Sequence, residues 1–220
     1  MSGLPCWTRL EASLLTPFDV NSIYVTAGVL GVLAVIATPI GQLSGFLSFR
    51  HAHADPDDAV KSRLVVAFGV VRTFFVPSLL EECFWRACLL PHPMVDAACI
   101  GGGPDCWAPY LIPNILFTLG HVASGAACGQ VGLTGYRDTF YDPRFLLLAG
   151  CVGTAATAAY ALTGGCVWAA AVVHWVPVAV WLFVFDGQDR LNGRLPLAPP
   201  GGGGGWTGLD PQQPEGQFKQ

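Results

Sequence analysis

Charge is scarce in this chain. Asp, Glu, Lys and Arg make up only 12% of its 220 residues and 52% are hydrophobic, whereas soluble domains carry about 25% charged residues. The chain also lacks any basic run or basic–aromatic stripe, which excludes nucleic acid from the expected partners. The composition therefore predicts an integral membrane protein, without indicating which membrane holds it.

Cysteine is present, but not in the spacing that binds zinc. The eight cysteines contain no CxxC pair, and most lie in apolar segments. That pattern is typical of small buried hydrophobes rather than of a disulfide framework or a metal site. Cys99 and Cys106 flank a glycine-rich loop, and they are the pair for which a disulfide is considered.

Long uncharged runs predict about five membrane-spanning helices, because one crossing needs about 20 mostly apolar residues. Residues 20–49 and 145–185 contain no formal charge, and Gly164-Gly165 divides the second run in two. The expected fold is all-α, a polytopic transmembrane helical bundle. The predicted spans are 23–47, 64–90, 108–122 and the two halves of 145–185.

A single folded domain is predicted. Residues 1–22 form an N-terminal segment, 23–186 the transmembrane domain, and 187–220 a Gly/Pro-rich tail that is expected to be disordered. Arginine and lysine concentrate in the 50–63 and 123–144 loops and in the tail. The positive-inside rule then predicts an N-terminus outside and a tail in the cytosol or stroma.

Two adjacent glutamates, Glu81 and Glu82, lie within one of the most apolar stretches, with Arg86 shortly after them. An ionisable group in hydrocarbon costs roughly 2.5–3.5 kcal/mol on insertion scales, so it usually marks a functional site. Glu82 and Arg86 are four residues apart and can pair on one helix face, whereas Glu81 is rotated from Glu82 by about 100°. A neutralised carboxylate beside a free one suits general-base catalysis.

Two histidines, His121 and His174, are embedded in other predicted spans. His121 shares a helical stripe with Asn114. Glu81 and His174 each lie about nine residues from helix ends at the same membrane surface, so at 1.5 Å per residue both are roughly 13 Å deep. His121 is expected slightly deeper. Three helices are therefore predicted to bring titratable groups to a similar depth.

Structural explanations exist for the same residues. A lone histidine in a membrane helix can hydrogen-bond a neighbouring helix, and Glu82 with Arg86 can form a buried salt bridge. Arg72 is expected to be structural, with its guanidinium extended toward the interface. The remaining histidines are expected in loops: His51, His53 and His92.

Three motifs together resemble the CAAX protease and bacteriocin-processing family, also called type II CAAX prenyl endopeptidases. The Glu-Glu-x-x-x-Arg motif stands as Glu81-Glu82-Cys-Phe-Trp-Arg86, and Phe-x-x-x-His stands as Phe117-Thr-Leu-Gly-His121. The third is a histidine in a later helix, here His174. Each motif alone is weak, but their order on hydrophobic helices is specific, and the resemblance covers about residues 77–186.

The resemblance implies a glutamate-dependent intramembrane endopeptidase that uses no metal or cofactor. Its partners would be the lipid bilayer and a peptide or protein substrate that can carry a prenyl group. Carried over by position, Glu81 would activate a water, with Glu82 and Arg86 orienting it. His121 would share that activation, and His174 would donate to the oxyanion.

One departure leaves alternatives open. Val178 stands where the family often has Asn, four residues after the motif histidine, so prenyl specificity is not carried over. Losing one oxyanion donor lowers the rate of catalysis by about 10²–10³-fold. Asn114 is a candidate for the replacement donor. The alternatives are a non-catalytic scaffold that binds a partner, a zinc hydrolase or carrier using Glu81, His121 and His174, and a small transporter.

Overall fold

The computed structural model describes residues 5–47, 59–96, 104–185 and 187–194, and these residues are arranged as helices. Two π-helical segments, Phe74–Leu79 and Cys83–Cys88, flank a short α-helix over Leu80–Glu82. The predicted all-α bundle is confirmed. The helices are α1 (Cys6–Leu15), α2 (Val20–Leu43), α3 (Ala59–Thr73), α4 (Leu80–Glu82), α5 (Pro104–Gln130), α6 (Thr134–Tyr141), α7 (Pro143–Leu162), α8 (Val167–Phe183) and α9 (Gly187–Leu191).

Four stretches of the described chain are long and apolar enough to cross a membrane: Val20–Leu43, Arg63–Cys88, Ala108–Gln130 and Pro143–Leu162. Between 11% and 22% of each apolar window is buried inside the protein, so most of their hydrophobic surface is left for lipid. The apolar helix α8 is shorter. The chain is thus a multi-pass integral membrane protein, as its composition predicted.

The first of these stretches starts at a capped turn. The Asp19 Oδ1 atom accepts a hydrogen bond from the Ser22 amide at 2.8 Å, which satisfies one of the free N–H groups at the helix end. That bond lowers the pKa of Asp19, since it stabilises the carboxylate. The cap explains why α2 begins three residues before the predicted span.

The helix α8 lies at the centre of the bundle. It contacts α1, α2, α3, α7, α9 and both π-helical segments, and Val167, Val173 and the run Ala169–Ala171 are fully buried. A helix that is apolar on every side is expected in such a position. Its alanines let neighbouring backbones approach closely, and its buried residues all lie in the half from Val167 to His174.

The second span is interrupted. Val76 has φ −136° and ψ 110°, an extended conformation inside the helical stretch. The cause is Pro77, because proline disfavours the helical region for the residue before it. The predicted continuous helix over 64–90 is therefore two helical pieces, and side chains on either side of the break follow different registers.

The third span does not end at residue 122, where the prediction placed its end. Residues 123–130 contain neither charge nor proline, so α5 continues to Gln130. A turn at Gly132, with φ +82°, then reverses the chain into α6, which packs back on α5. The predicted loop over 123–144 is largely helical.

The polar C-terminal segment begins as packed structure. Arg190 in α9 is buried; its Nη2 atom donates to the Gly45 carbonyl at 3.4 Å, and its guanidinium lies 4.9 Å from the centre of the Phe46 ring. Residues 187–194 thus contact the bundle, although the prediction placed them in a disordered tail. Residues 195–220 lie outside the described part of the chain.

The opposite end of the bundle is covered by α1. A disulfide joins Cys6 to Cys88 at the end of the second span. Arg9 pairs with Asp96 at 2.9 Å, and the Ser13 hydroxyl hydrogen-bonds the hydroxyl of Tyr160 at 2.8 Å, next to the buried core. The N-terminal segment is therefore part of the folded unit.

The cysteine prediction was wrong for this disulfide. Cys6 and Cys88 are 82 residues apart, and no local spacing signals a contact of that kind. Cys99 lies outside the described residues, so a Cys99–Cys106 bridge stays a prediction.

We expect Cys6→Ser and Cys88→Ser each to lower the thermal unfolding midpoint in detergent by similar amounts. Both changes remove the same bond, and disulfides typically contribute about 2–4 kcal/mol. Cys128→Ser is the matched control, because Cys128 is a free thiol. A reductant should lower the unfolding midpoint of the wild type to that of the two variants. Wild-type midpoints in both variants would show that the bond does not stabilise the fold.

Candidate active site

The Glu82 carboxylate is the centre of a buried hydrogen-bond network. Its Oε1 atom accepts from Arg86 Nη1 at 3.0 Å and from His174 Nδ1 at 2.8 Å, and the Glu82 side chain is 0% exposed. Arg86 Nη2 donates to the Gly153 carbonyl at 2.8 Å. Because buried charges must be paired, this network links the second span to α7 and α8.

Glycine is required at position 153. A Cβ atom there would overlap the Asn114 Oδ1 atom and lie 2.8 Å from the Phe117 ring and 3.1 Å from Arg86 Nη2. The guanidinium of Arg86 also lies 4.6 Å from the centre of the Phe117 ring, in a cation–π contact. The small residue on α7 therefore makes the space in which the arginine is held.

Glu81 lies outside this network and faces a cavity. Its side chain is 32% exposed, and its Oε2 atom is 3.9 Å from His174 Nε2. One imidazole thus has a glutamate at each nitrogen, with Glu82 at Nδ1 and Glu81 at Nε2. The different directions of the two carboxylates agree with the rotation predicted from helical geometry, and the short distance puts Glu81 and His174 at one depth.

His121 lines the same cavity. Its Nδ1 atom is 3.0 Å from the Phe117 carbonyl oxygen. A carbonyl only accepts, so Nδ1 carries the hydrogen and Nε2 keeps a free lone pair in the neutral ring. The Phe117 ring packs edge-on against both imidazoles, with centroid distances of 4.9 Å to His121 and 5.6 Å to His174.

The cavity has a volume of about 930 Å³, within the roughly 300–1,000 Å³ of small-ligand sites. An aromatic wall runs from His121 toward α9: Phe145 is 5.3 Å from His121 and 5.7 Å from Trp181 between ring centroids. Such a lining suits an apolar ligand. The aromatic wall consists of Phe46, Phe117, Tyr136, Phe140, Phe145, Trp181 and Phe185.

A family model described as Type II CAAX prenyl endopeptidase Rce1-like matches residues 63–180, which is more than half of the 220 residues. The chain belongs to this family. No curated protein and no solved structure matches the chain significantly. Rce1-like proteins are membrane endopeptidases, so the fold is of protease type and the substrate class is a peptide or protein.

The Rce1-like match contains all five side chains predicted for the site. Hydrogen bonds join Glu82 to Arg86 and His174, and Glu81 lies 3.9 Å from His174. His121 joins them through the shared cavity and the Phe117 ring. Their chemical roles remain predictions.

The structure also places Asn114 and Arg72, two further residues that the sequence singled out. Asn114 donates to the Thr154 hydroxyl at 2.8 Å and lines a separate groove between α2, α5 and α7, so the structure does not support it as a substitute oxyanion donor. Arg72 lines the Glu81 cavity, and the extension of its guanidinium toward the interface stays a prediction. Val178 also lines that cavity, one turn after His174.

Metal ligation receives no geometric support. Among the residues that the structure describes, no group of three or more His, Cys, Asp or Glu side chains could hold a metal ion. His51 and His53 lie outside the described residues. His92 is in a loop, as predicted, and is buried there against the ring of Tyr160.

We expect Gly153→Ala to destabilise the protein by about 1–3 kcal/mol, as overpacking typically does, because the added methyl would overlap Asn114 Oδ1 and crowd the Phe117 ring and Arg86 Nη2. Thermal unfolding in detergent measures the effect. Gly150→Ala is the control on the same helix, since its Cβ would meet only the Thr118 hydroxyl at 3.6 Å. Equal midpoints for the two variants would contradict this account of Gly153.

Proposed function

We propose that this protein is an intramembrane endopeptidase in which Glu81 activates a water for hydrolysis of a peptide bond. The supporting observation is the 3.9 Å distance between Glu81 Oε2 and His174 Nε2, at a cavity that His121 also lines. Peptide hydrolysis needs a base and an oxyanion donor beside the same carbonyl, and we assign these roles to Glu81 and His174.

In the proposed reaction, a water lies between the Glu81 carboxylate and the free Nε2 atom of His121. Glu81 takes a proton from the water while the water oxygen attacks the carbonyl carbon of the peptide bond. The oxyanion that forms accepts a hydrogen bond from Nε2–H of a doubly protonated His174. When the tetrahedral intermediate collapses, the C–N bond breaks and the leaving amine takes the proton back from Glu81.

Glu82 and Arg86 have a positioning role in this proposal. Both side chains are almost fully enclosed, so neither reaches a substrate in the cavity. Glu82 fixes the ring of His174 through Nδ1 and leaves Nε2 directed at the cavity, as the buried aspartate of a serine protease orients its histidine. Arg86 balances the charge of Glu82 and ties it to α7.

The proposed substrate is an apolar peptide segment that reaches the cavity from the membrane. The aromatic wall favours hydrocarbon over charged side chains, because burying an unpaired charge is unfavourable. A prenyl group attached to the substrate would fit the same lining, and the family description names prenyl endopeptidases. We therefore propose prenylated peptides as the first substrates to test.

A non-catalytic scaffold is the second candidate, and Val178 favours it. An asparagine at this position would place a side-chain N–H on the helix face that carries His174, whereas valine has no donor. A family member with a weakened oxyanion site can retain its fold to bind a partner. Substitution at Val178 separates the two candidates.

We expect Glu81→Gln to lower turnover of a prenylated peptide by about 10²–10⁴-fold, the usual contribution of a general base, with an unchanged protein level in the membrane. Glu11→Gln, at an exposed position of α1, is the control and should keep wild-type turnover. Cleavage is measured by mass spectrometry with and without a chelator. Full activity in Glu81→Gln would refute the mechanism, and loss to the chelator with recovery on adding zinc would favour a metal hydrolase.

We expect Val178→Asn to raise turnover above that of the wild type, by up to about 10²–10³-fold, which is the contribution of one oxyanion donor. Val178→Ala removes the same bulk without adding a donor, so it should stay near the wild type. If neither the wild type nor Val178→Asn cleaves any peptide, the scaffold candidate is preferred.

A further inference from the structure

Arg72 is a charged residue of the cavity wall that the proposed reaction does not use. Apart from the histidines His121 and His174, only Arg72 and Glu81 are ionisable side chains with a formal charge among the described residues that line this cavity. The Arg72 side chain is exposed, and within the described ranges no acidic side chain forms an ion pair with it. Arg72 therefore borders the ligand space, and none of the acidic side chains in the described ranges balances its charge.

The break at Val76 is what brings Arg72 to this cavity. Nine residues separate Arg72 from Glu81, and nine steps of about 100° would put them on opposite faces of a continuous helix. Because Val76 leaves the helical conformation, the two side chains line one cavity. The interruption thus places a cation and the candidate base around the same ligand space.

The position of Arg72 calls for an anionic partner. It lies within the candidate span Arg63–Cys88, where an arginine without an anionic partner is unfavourable. Arginine matches a carboxylate best, since its planar fork can donate two parallel hydrogen bonds. A substrate segment apolar enough for the aromatic wall has no acidic side chain, so its own C-terminal carboxylate is the anion that it brings.

We propose that Arg72 binds the C-terminal carboxylate of the peptide substrate and so directs cleavage to bonds near the end of the chain. This inference rests on the proposed endopeptidase function and names a specificity-determining residue for it. Arg72 takes no part in bond breaking. A lipid phosphate is the competing anion, and the experiment separates the two.

The test compares two peptides that differ only at the C-terminus. Each contains a prenylated cysteine followed by three apolar residues, with either a free carboxylate or an amide at the end. We expect the wild type to cleave the acid about 10- to 100-fold more efficiently, the range for a hydrogen bond to a charged group, mainly through KM. In Arg72→Gln, the efficiency of cleavage of the acid peptide should fall to that of the amide peptide, while cleavage of the amide peptide stays the same. Arg72→Lys should recover part of the preference for the acid peptide.

Binding gives a second readout that does not depend on turnover. In the Glu81→Gln background, the acid peptide should bind more tightly than the amide, and adding Arg72→Gln should remove the difference. Equal binding of acid and amide, or an equal loss for both on Arg72→Gln, would overturn the inference in favour of a structural or lipid-phosphate contact. A preference for the acid without cleavage by the wild type would support the carboxylate site while contradicting the endopeptidase.

Discussion

The pairing of one buried carboxylate determines the geometry of this site. Glu82 has no access to solvent, so its charge has to be balanced by protein groups. Arg86 and His174 both bind its Oε1 atom, which draws the second span against α8. The Arg86 guanidinium in turn needs the Gly153 carbonyl, and this holds α7. The orientation of His174 follows from satisfying that one charge.

The two ends of the bundle are packed differently, with the glutamate network between them. One end is a dense core of small and aromatic side chains beneath α1, and the other is the open aromatic cavity. The dense end holds α7 and α8 in place, so the network sits on rigid elements, as a precise site requires. The core consists of Leu90, Ala156, Ala159, Tyr160, Ala170 and Val173.

Local features of the sequence predicted much of the fold and part of the site. The spans follow from uncharged runs, and the different directions of Glu81 and Glu82 follow from helical geometry. The features that the sequence did not predict depend on contacts between residues far apart in the chain, or on a break that changes which helix face a residue lies on. Pro77 is visible in the sequence, but that the break at Val76 turns Arg72 toward the cavity is not. Likewise, Asn114 shares a stripe with His121, yet its partner on α7 turns its amide to another groove.

The disulfide between α1 and the second span has a consequence for where each surface of the protein lies in the cell. Such bonds persist in oxidising compartments and are rare in the cytosol. The end that carries Cys6 and Cys88 is also the end that the arginine distribution assigns to the non-cytosolic side. Two independent chemical signals therefore favour the predicted orientation, in which the dense end would face a lumenal or extracellular environment and the end near α9 a reducing one.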